Sequence, residues 1–173
     1  MKRGYRPPLT TTRRALLVGG SDVEFRRLIY RLVAVEERLR RVRDFLARRI
    51  GLTGPQYTLL ITVAYLQGEG GIAVRALARN LRVSSAFITT ESGRLIERGL
   101  LVKRRDAHDS RRMLLSVTAA GRRRLEALVP ELRRVNDAFF ARVTQGSFRH
   151  AMRFLEQLLA GSEKVMAHIT QAP

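Results

Sequence analysis

Residues 77–121 of this 173-residue chain read LARNLRVSSAFITTESGRLIERGLLVKRRDAHDSRRMLLSVTAAG. Apolar residues recur at helical spacing in the first half, with a break around Val83, which predicts two short helices joined by a tight turn. Gly99 is a suitable stop for the second helix. Two strand-like runs follow, at residues 100–102 and 113–117, and the charged segment between them predicts a β-hairpin. Two helices and a hairpin in this order predict a winged helix-turn-helix.

The second helix of such a unit is slim enough to enter the major groove of DNA, and the first helix braces it across the backbone. The small core that holds the pair is predicted from apolar residues at matching positions: Leu77, Leu81, Val83, Ile88 and Leu95, with Ala78 at the close approach. The opposite face would present groups for phosphates and base edges, namely Ser84, Ser85, Thr89, Thr90 and Arg94.

The remainder of the chain is predicted to be helical. A long amphipathic helix begins at Ser21 or Asp22 and ends near Gly51. Thr53-Gly54-Pro55 starts a compact apolar helix, and Gly70-Gly71-Ile72 predicts a tight connection or a very short strand.

Thr118 is predicted to cap another long helix, with a kink or break at Pro130 and an end near Gly146. A last helix carries Phe148, Met152, Leu155, Leu158 and Leu159, and we expect the chain to fray after Gly161.

Charge is the most distinctive compositional feature. The chain has 33 Lys+Arg against 15 Asp+Glu, a net charge of +18, which would attract a polyanion such as nucleic acid. Arginine-rich composition alone could account for part of this surplus. The local pattern is more specific, because residues 101–125 hold eight bases and two acids. With 45% apolar residues and no cysteine, the chain is expected to fold around a core without disulfides or thiolate metal ligands.

The quoted segment resembles the DNA-binding region of the multiple-antibiotic-resistance regulator (MarR) family. The specific marker is Asp106-x-x-Asp109-x-Arg111 between two strands, followed by Thr118-x-x-Gly121 at the start of the next helix. The helix order agrees over nearly the whole chain, except for an N-terminal extension. The resemblance implies a mainly α fold with a small β-wing, divided into an extension (residues 1–21), a helical dimerisation region (22–52 and 122–173) and a winged helix-turn-helix (53–121).

In that family the residue matching Arg111 enters the minor groove, and the residue matching Asp109 holds it by an ion pair. We expect Asp109, Arg111 and Arg112 to act at the wing, because a neighbouring carboxylate reduces the rotamer entropy that a long side chain loses on binding. Asp106 is expected to shape the turn by accepting backbone hydrogen bonds. The simpler alternative is that both aspartates only relieve repulsion on a solvated hairpin.

Relatives commonly release DNA when a small aromatic or anionic ligand binds beside the winged module. Tyr57 and Tyr65 are candidates for such a cleft, although Tyr57 could equally be packing. The lack of tryptophan argues against the urate-sensing subgroup, and the lack of cysteine against the peroxide-sensing one. The three histidines, His108, His150 and His168, lie far apart, so no metal site is predicted, and no cofactor motif is present.

The sequence therefore predicts a cytoplasmic, ligand-responsive repressor that binds a palindromic operator as a homodimer. It predicts no enzymatic activity and no membrane segment. Two alternatives remain: a sequence-independent nucleic-acid-binding protein, drawing on the same charge, and an enzyme with a cryptic site. Gly93, inside the second helix, either allows close approach to DNA or is simply tolerated.

Overall fold

The computed structural model of the chain describes residues 5, 7–107, 109 and 111–171. His108 therefore lies outside the described residues. The chain forms two compact units, Met1–Glu131 and Leu132–Pro173. It is mainly helical with one small antiparallel sheet, as the sequence predicts. No helix in the described part of the chain is long and apolar enough to cross a membrane.

The first long helix, α1 (Val23–Arg49), is preceded by an ordered extension that contains one 3-10 turn at Arg14–Leu16. Asp22 occupies the position before α1, but its buried carboxylate does not cap the helix. One oxygen accepts the backbone N–H and the hydroxyl of Thr10, both at 2.7 Å, and the other pairs with Arg26 at 2.9 Å. The hydrogen bonds from Thr10 lower the pKa of Asp22. Asp22 thus anchors the extension to the start of α1.

The predicted helix start at Thr53 is confirmed. Thr53 and Gln56 form a capping box at the start of α2 (Gly54–Leu66), with Pro55 in its first turn. This arrangement satisfies two N–H groups that an uncapped helix leaves free.

The winged module follows α2. Its elements are β1 (Ile72–Ala73), α3 (Val74–Leu81), α4 (Ser85–Glu97), β2 (Leu101–Arg105) and β3 (Met113–Val117). Strand β3 lies between β1 and β2 and pairs antiparallel with both; Leu101 faces Val117 and Arg105 faces Met113 in the wing.

The helix pair of this module packs around Leu77, Ile88 and Leu95, which are completely buried. Two of the predicted core residues differ: Val83 is exposed and Leu81 is only half-buried. The chain turns between the helices through Arg82, which has a left-handed backbone (φ 55°). The short turn leaves Val83 on the outside, so apolar character alone did not predict its environment.

The base of the wing is closed by a tight contact between strand ends and the next helix, α5 (Ala119–Glu126). The Leu100 carbonyl accepts the Thr118 N–H at 3.1 Å, and the Thr118 hydroxyl donates to the Gly99 carbonyl at 2.7 Å. That hydroxyl also accepts the Gly121 N–H at 3.0 Å and so caps α5. A Cβ on Gly121 would lie 2.3 Å from the Leu100 carbonyl oxygen, which is why a glycine is required there.

The break predicted at Pro130 is confirmed, because α5 ends at Glu126 and α6 (Val129–Phe139) carries Pro130 in its first turn. The prediction that the chain frays after Gly161 is wrong. Helix α7 runs without interruption through Gln145–Gln171. One glycine costs a helix about 1 kcal/mol, and good helix formers on both sides of Gly161 outweigh that cost.

Two arginines join the C-terminal end of α1 to the winged module. Arg98, after α4, donates to the Gly51 carbonyl at 2.7 Å, and Arg124, in α5, donates to the Ile50 carbonyl at 3.0 Å. The last carbonyl groups of a helix carry partial negative charge and lack partners within the helix. The two guanidinium groups extend this region by binding the carbonyls of the C-cap residue Ile50 and of Gly51 after it, from elements that are distant in sequence.

The requirement for glycine at the wing base leads to a prediction for Gly121→Ala, with Gly93→Ala as the matched control. The added Cβ at position 121 meets backbone, and overpacking of this kind should lower the free energy of unfolding by about 1–3 kcal/mol. The same change at Gly93 meets nothing within 4 Å and should raise it by up to about 1 kcal/mol. Urea unfolding of both variants checks the two signs. Equal effects would contradict the role given to Gly121.

Candidate nucleic-acid interface

Helix α4 has one buried face and one hydroxyl-rich face. Ile88 and Leu95 point into the core, whereas the predicted contact residues Ser84, Ser85, Thr89 and Thr90 are all exposed. The Ser84 hydroxyl caps the helix by accepting the Phe87 N–H at 3.1 Å. The Thr89 hydroxyl donates to the Ser85 carbonyl at 2.9 Å and keeps its lone pairs available as acceptors.

The charged residues of α4 largely cancel one another at its centre. Glu91 is buried, and one of its oxygens accepts a hydrogen bond from Arg94 at 2.6 Å. Its other oxygen is buried without a hydrogen-bond partner among the described residues. Arg94 itself is exposed but already paired. Attraction for a polyanion must therefore come from the elements on either side of α4.

The wing provides part of that charge, with a different internal geometry from the one predicted. No ion pair joins the Asp109 carboxylate to the Arg111 guanidinium in the part of the wing that the structure describes. Asp109 instead accepts the backbone N–H of Arg111 at 3.0 Å. The carboxylate of an aspartate readily bonds the backbone two residues later, and here this local bond engages one of the two carboxylate oxygens. Asp109 therefore fixes the backbone from which Arg111 extends.

The other aspartate, Asp106, forms an ion pair with Arg112. Asp106 lies 3.7 Å from the Arg112 guanidinium, and the Asp106 N–H donates to the Arg112 carbonyl at 3.0 Å. A further backbone bond joins the Arg112 N–H to the Asp109 carbonyl at 2.9 Å. The two aspartates thus order the tip of a hairpin whose cations, Arg111 and Arg112, remain exposed.

A groove of about 750 Å³ lies between α3 and the wing. Arg75 and Arg79 form one wall and Lys103, Arg111 and Arg112 the other, while Thr89 of α4 borders the same space. The two α3 arginines were not among the predicted site residues. A signal in the sequence could have identified them. The two arginines are four residues apart and lie on the face of α3 opposite Leu77.

The two tyrosines proposed for an effector cleft differ sharply in exposure. Tyr57 is buried, and burial raises the pKa of its hydroxyl, whereas Tyr65 is among the most exposed aromatic residues described. His150 and His168 are both exposed on α7. Among the described residues, no three His, Asp or Glu side chains are grouped so that they could hold a metal ion.

Comparison with known proteins gives the same fold. The model of the MarR family matches residues 50–112, which run from the end of α1 through α2, β1, α3, α4 and β2 and stop just before β3. An uncharacterized HTH-type transcriptional regulator of Bacillus subtilis (strain 168), YdcH, is 25% identical over 118 residues, which cover 68% of this chain and 74% of that protein.

Two solved structures are similar to the chain. One is a putative MarR family transcriptional regulator from Listeria monocytogenes complexed with 26mer DNA; its TM-score is 0.71 at 14% identity, covering 83% of this chain and 94% of that one. The other is the PcaV transcriptional regulator from Streptomyces coelicolor in complex with its natural ligand; its TM-score is 0.57 at 27% identity, covering 74% of this chain and 91% of that one.

The role of Asp109 can be tested with two substitutions that change net charge equally. Asp109→Asn keeps an oxygen that can accept the Arg111 N–H, whereas Asp109→Ala does not. We expect the Ala variant to bind a DNA duplex more weakly than the Asn variant by about 0.5–1.5 kcal/mol, the usual contribution of one hydrogen bond.

Fluorescence anisotropy at fixed salt measures both affinities, and amide hydrogen exchange at Arg111 reports on the turn. If charge alone mattered, both variants would bind more tightly than the native protein and to the same extent. If an ion pair mattered, both would bind more weakly.

Proposed function

We propose that the chain is a winged helix-turn-helix protein of the MarR family, whose model matches residues 50–112, and that it is a sequence-specific DNA-binding transcriptional regulator. The observation that carries the proposal is the exposed hydroxyl face of α4 beside a cationic wing. Hydroxyl groups on a helix of this kind can contact base edges and phosphates in the major groove, while arginines on the wing suit the narrow, electronegative minor groove. A binding function of this kind involves no catalysis. It requires the protein to be in the same compartment as the DNA, which is the cytoplasm.

We also propose that the working form is a homodimer, held together by the helical region outside the winged module. Helix α7 supports this, because Phe148, Met152, Leu155 and Leu159 recur at steps of four, three and four residues and are all about half exposed. That is the spacing of a seam that packs against another helix. Helix α1 carries its own exposed apolar residues, among them Tyr30 and Val33. A single chain rarely leaves so much apolar surface in water.

A two-fold dimer would present two winged modules to DNA, about 34–36 Å apart, or one turn of the double helix. The preferred operator should accordingly be an imperfect palindrome. Repression is the simplest mode, since a dimer bound across a promoter blocks access to it.

We further propose that the protein responds to a small aromatic or anionic effector. Its support is the PcaV relative, whose structure was determined with its natural ligand. Tyr57 is a poor candidate for direct contact because it is buried, so a ligand there would have to displace core packing. Tyr65 remains a candidate because its ring is accessible.

The alternative function is sequence-independent binding of nucleic acid, and the net charge of +18 favours it. Selection of sheared genomic DNA on the purified protein, followed by sequencing, separates the two functions. A regulator should enrich fragments that share a palindrome and should prefer them over bulk DNA by about 10³-fold or more. Uniform recovery of all fragments would reject the regulator.

The dimer can be tested by light scattering at micromolar concentration, where we expect a mass twice that of the chain. Leu155→Glu introduces a charge into the α7 seam and should shift the protein to monomers. Glu163→Gln, which removes a charge on the same helix, is the control and should leave the mass unchanged. A native monomer would contradict the proposal.

Base reading by α4 predicts the effect of a Thr89→Ala/Thr90→Ala variant. Both side chains are exposed, so the melting temperature should hardly change, while discrimination between the operator and its base-substituted versions should fall. Ser84→Ala is the contrasting variant, because loss of the helix cap should lower stability by about 1 kcal/mol. Unfolding of the threonine variant, or unchanged discrimination, would contradict the assignment of this face.

A further inference from the structure

We propose that Arg75 and Arg79 of α3 bind DNA phosphates, so that one sugar–phosphate strand lies in the groove between α3 and the wing. The proposal rests on the DNA-binding function proposed above and adds a second row of phosphate-binding groups on the far side of the groove from the wing.

The groove has charged walls and an apolar floor. Five exposed cations, two from α3 and three from the wing (Arg75, Arg79, Lys103, Arg111 and Arg112), face a single acid, Asp109. One Asp109 oxygen already accepts the Arg111 N–H. Small residues of β1 and α3, including Ala73 and Ala76, leave the floor open. The space therefore suits a narrow, repeatedly charged anion.

A phosphodiester strand fits these walls better than other anions do. Guanidinium groups match phosphate oxygens with two parallel hydrogen bonds. Arg75 and Arg79 are one helical turn apart on α3, so they can bind successive phosphates along one line, with the wing cations on the other side. Thr89 of α4 borders the same groove, which places the predicted base-reading face directly beside the strand.

The same arginines also border a hollow of about 330 Å³, together with Val83 in the turn before α4 and Ser85 at the start of α4. Arg75 and Arg79 therefore form a ridge that borders both spaces. The ridge supplies positive charge beside α4, which itself carries two acids and one base (Glu91, Glu97 and Arg94).

Phosphate-binding groups hold a protein on DNA without reading its sequence. Removing the ridge should therefore lower affinity for every duplex alike, in contrast with the threonine variant of α4. This difference allows the ridge to be tested with a random-sequence duplex, whether or not an operator is known.

The experiment compares three double variants by fluorescence anisotropy on one labelled random duplex over a series of salt concentrations. For Arg75→Ala/Arg79→Ala, the slope of log K against log salt should decrease by about 0.9 for each phosphate that the variant no longer neutralises, with affinity at least about tenfold lower. Arg75→Lys/Arg79→Lys keeps the charge and should restore most of the slope. Arg149→Ala/Arg153→Ala, an exposed pair with the same spacing on α7, removes the same charge and should leave the slope unchanged.

Melting temperature and oligomeric mass of each variant are measured in parallel, and both should match the native protein because the substituted residues are exposed. An unchanged slope for Arg75→Ala/Arg79→Ala would overturn the proposal, as would an equal decrease in the α7 control. If the proposed regulator function is wrong, the result is different: the native protein binds all DNA sequences with the same affinity. In that case the ridge would still be supported if its removal flattened the slope.

Discussion

The winged module depends on one buried polar contact, in which the Leu100 carbonyl is held by Thr118 and covered by Gly121. This contact brings together the end of α4, the start of β2, the end of β3 and the first turn of α5. The Thr118 hydroxyl acts twice, as a donor to the Gly99 carbonyl and as an acceptor from the Gly121 N–H. The fold therefore requires a serine or threonine at position 118 and a glycine at position 121. Any Cβ at position 121 would push α5 away from the base of the wing.

With the wing fixed, the side chains that we propose to read bases and those that we propose to bind phosphates lie on different elements of the module. The central acid of α4, Glu91, is turned into the core and paired with Arg94, so the helix presents hydroxyl groups without a strong field of its own. The positive charge lies beside it, on the wing and on α3. Such a division suits a protein that must discriminate between base pairs, since charge attracts every sequence equally and hydrogen bonds to base edges do not.

Local signals allowed most of the fold to be predicted from sequence. Thr53 and Thr118 are capping residues whose effect depends on the next three residues, and the break at Pro130 follows from its missing N–H. The errors concern residues whose environment is set from further away. Val83 is exposed because the turn at Arg82 directs it outward, and Asp109 bonds the backbone because the N–H donor of Arg111 is closer to it than the guanidinium at the end of that long side chain. Arg75 and Arg79 form a site only with the wing opposite, which sequence spacing does not reveal.

The attachment of α1 to the winged module also depends on residues that are distant in sequence, and it restricts how this end of α1 can move. Arg98 follows α4 and Arg124 lies on α5, yet both donate to carbonyl groups of the two residues that follow α1, Gly51 and Ile50. Gly51 has a left-handed backbone (φ 67°), and a Cβ built on it would lie 3.7 Å from the Arg98 guanidinium and 3.8 Å from that of Arg124. A displacement of this end of α1 must therefore either break two charge-assisted hydrogen bonds or carry α4 and α5 with it. Because such bonds contribute about 1.5–3 kcal/mol each, they hold the end of α1 firmly against the winged module.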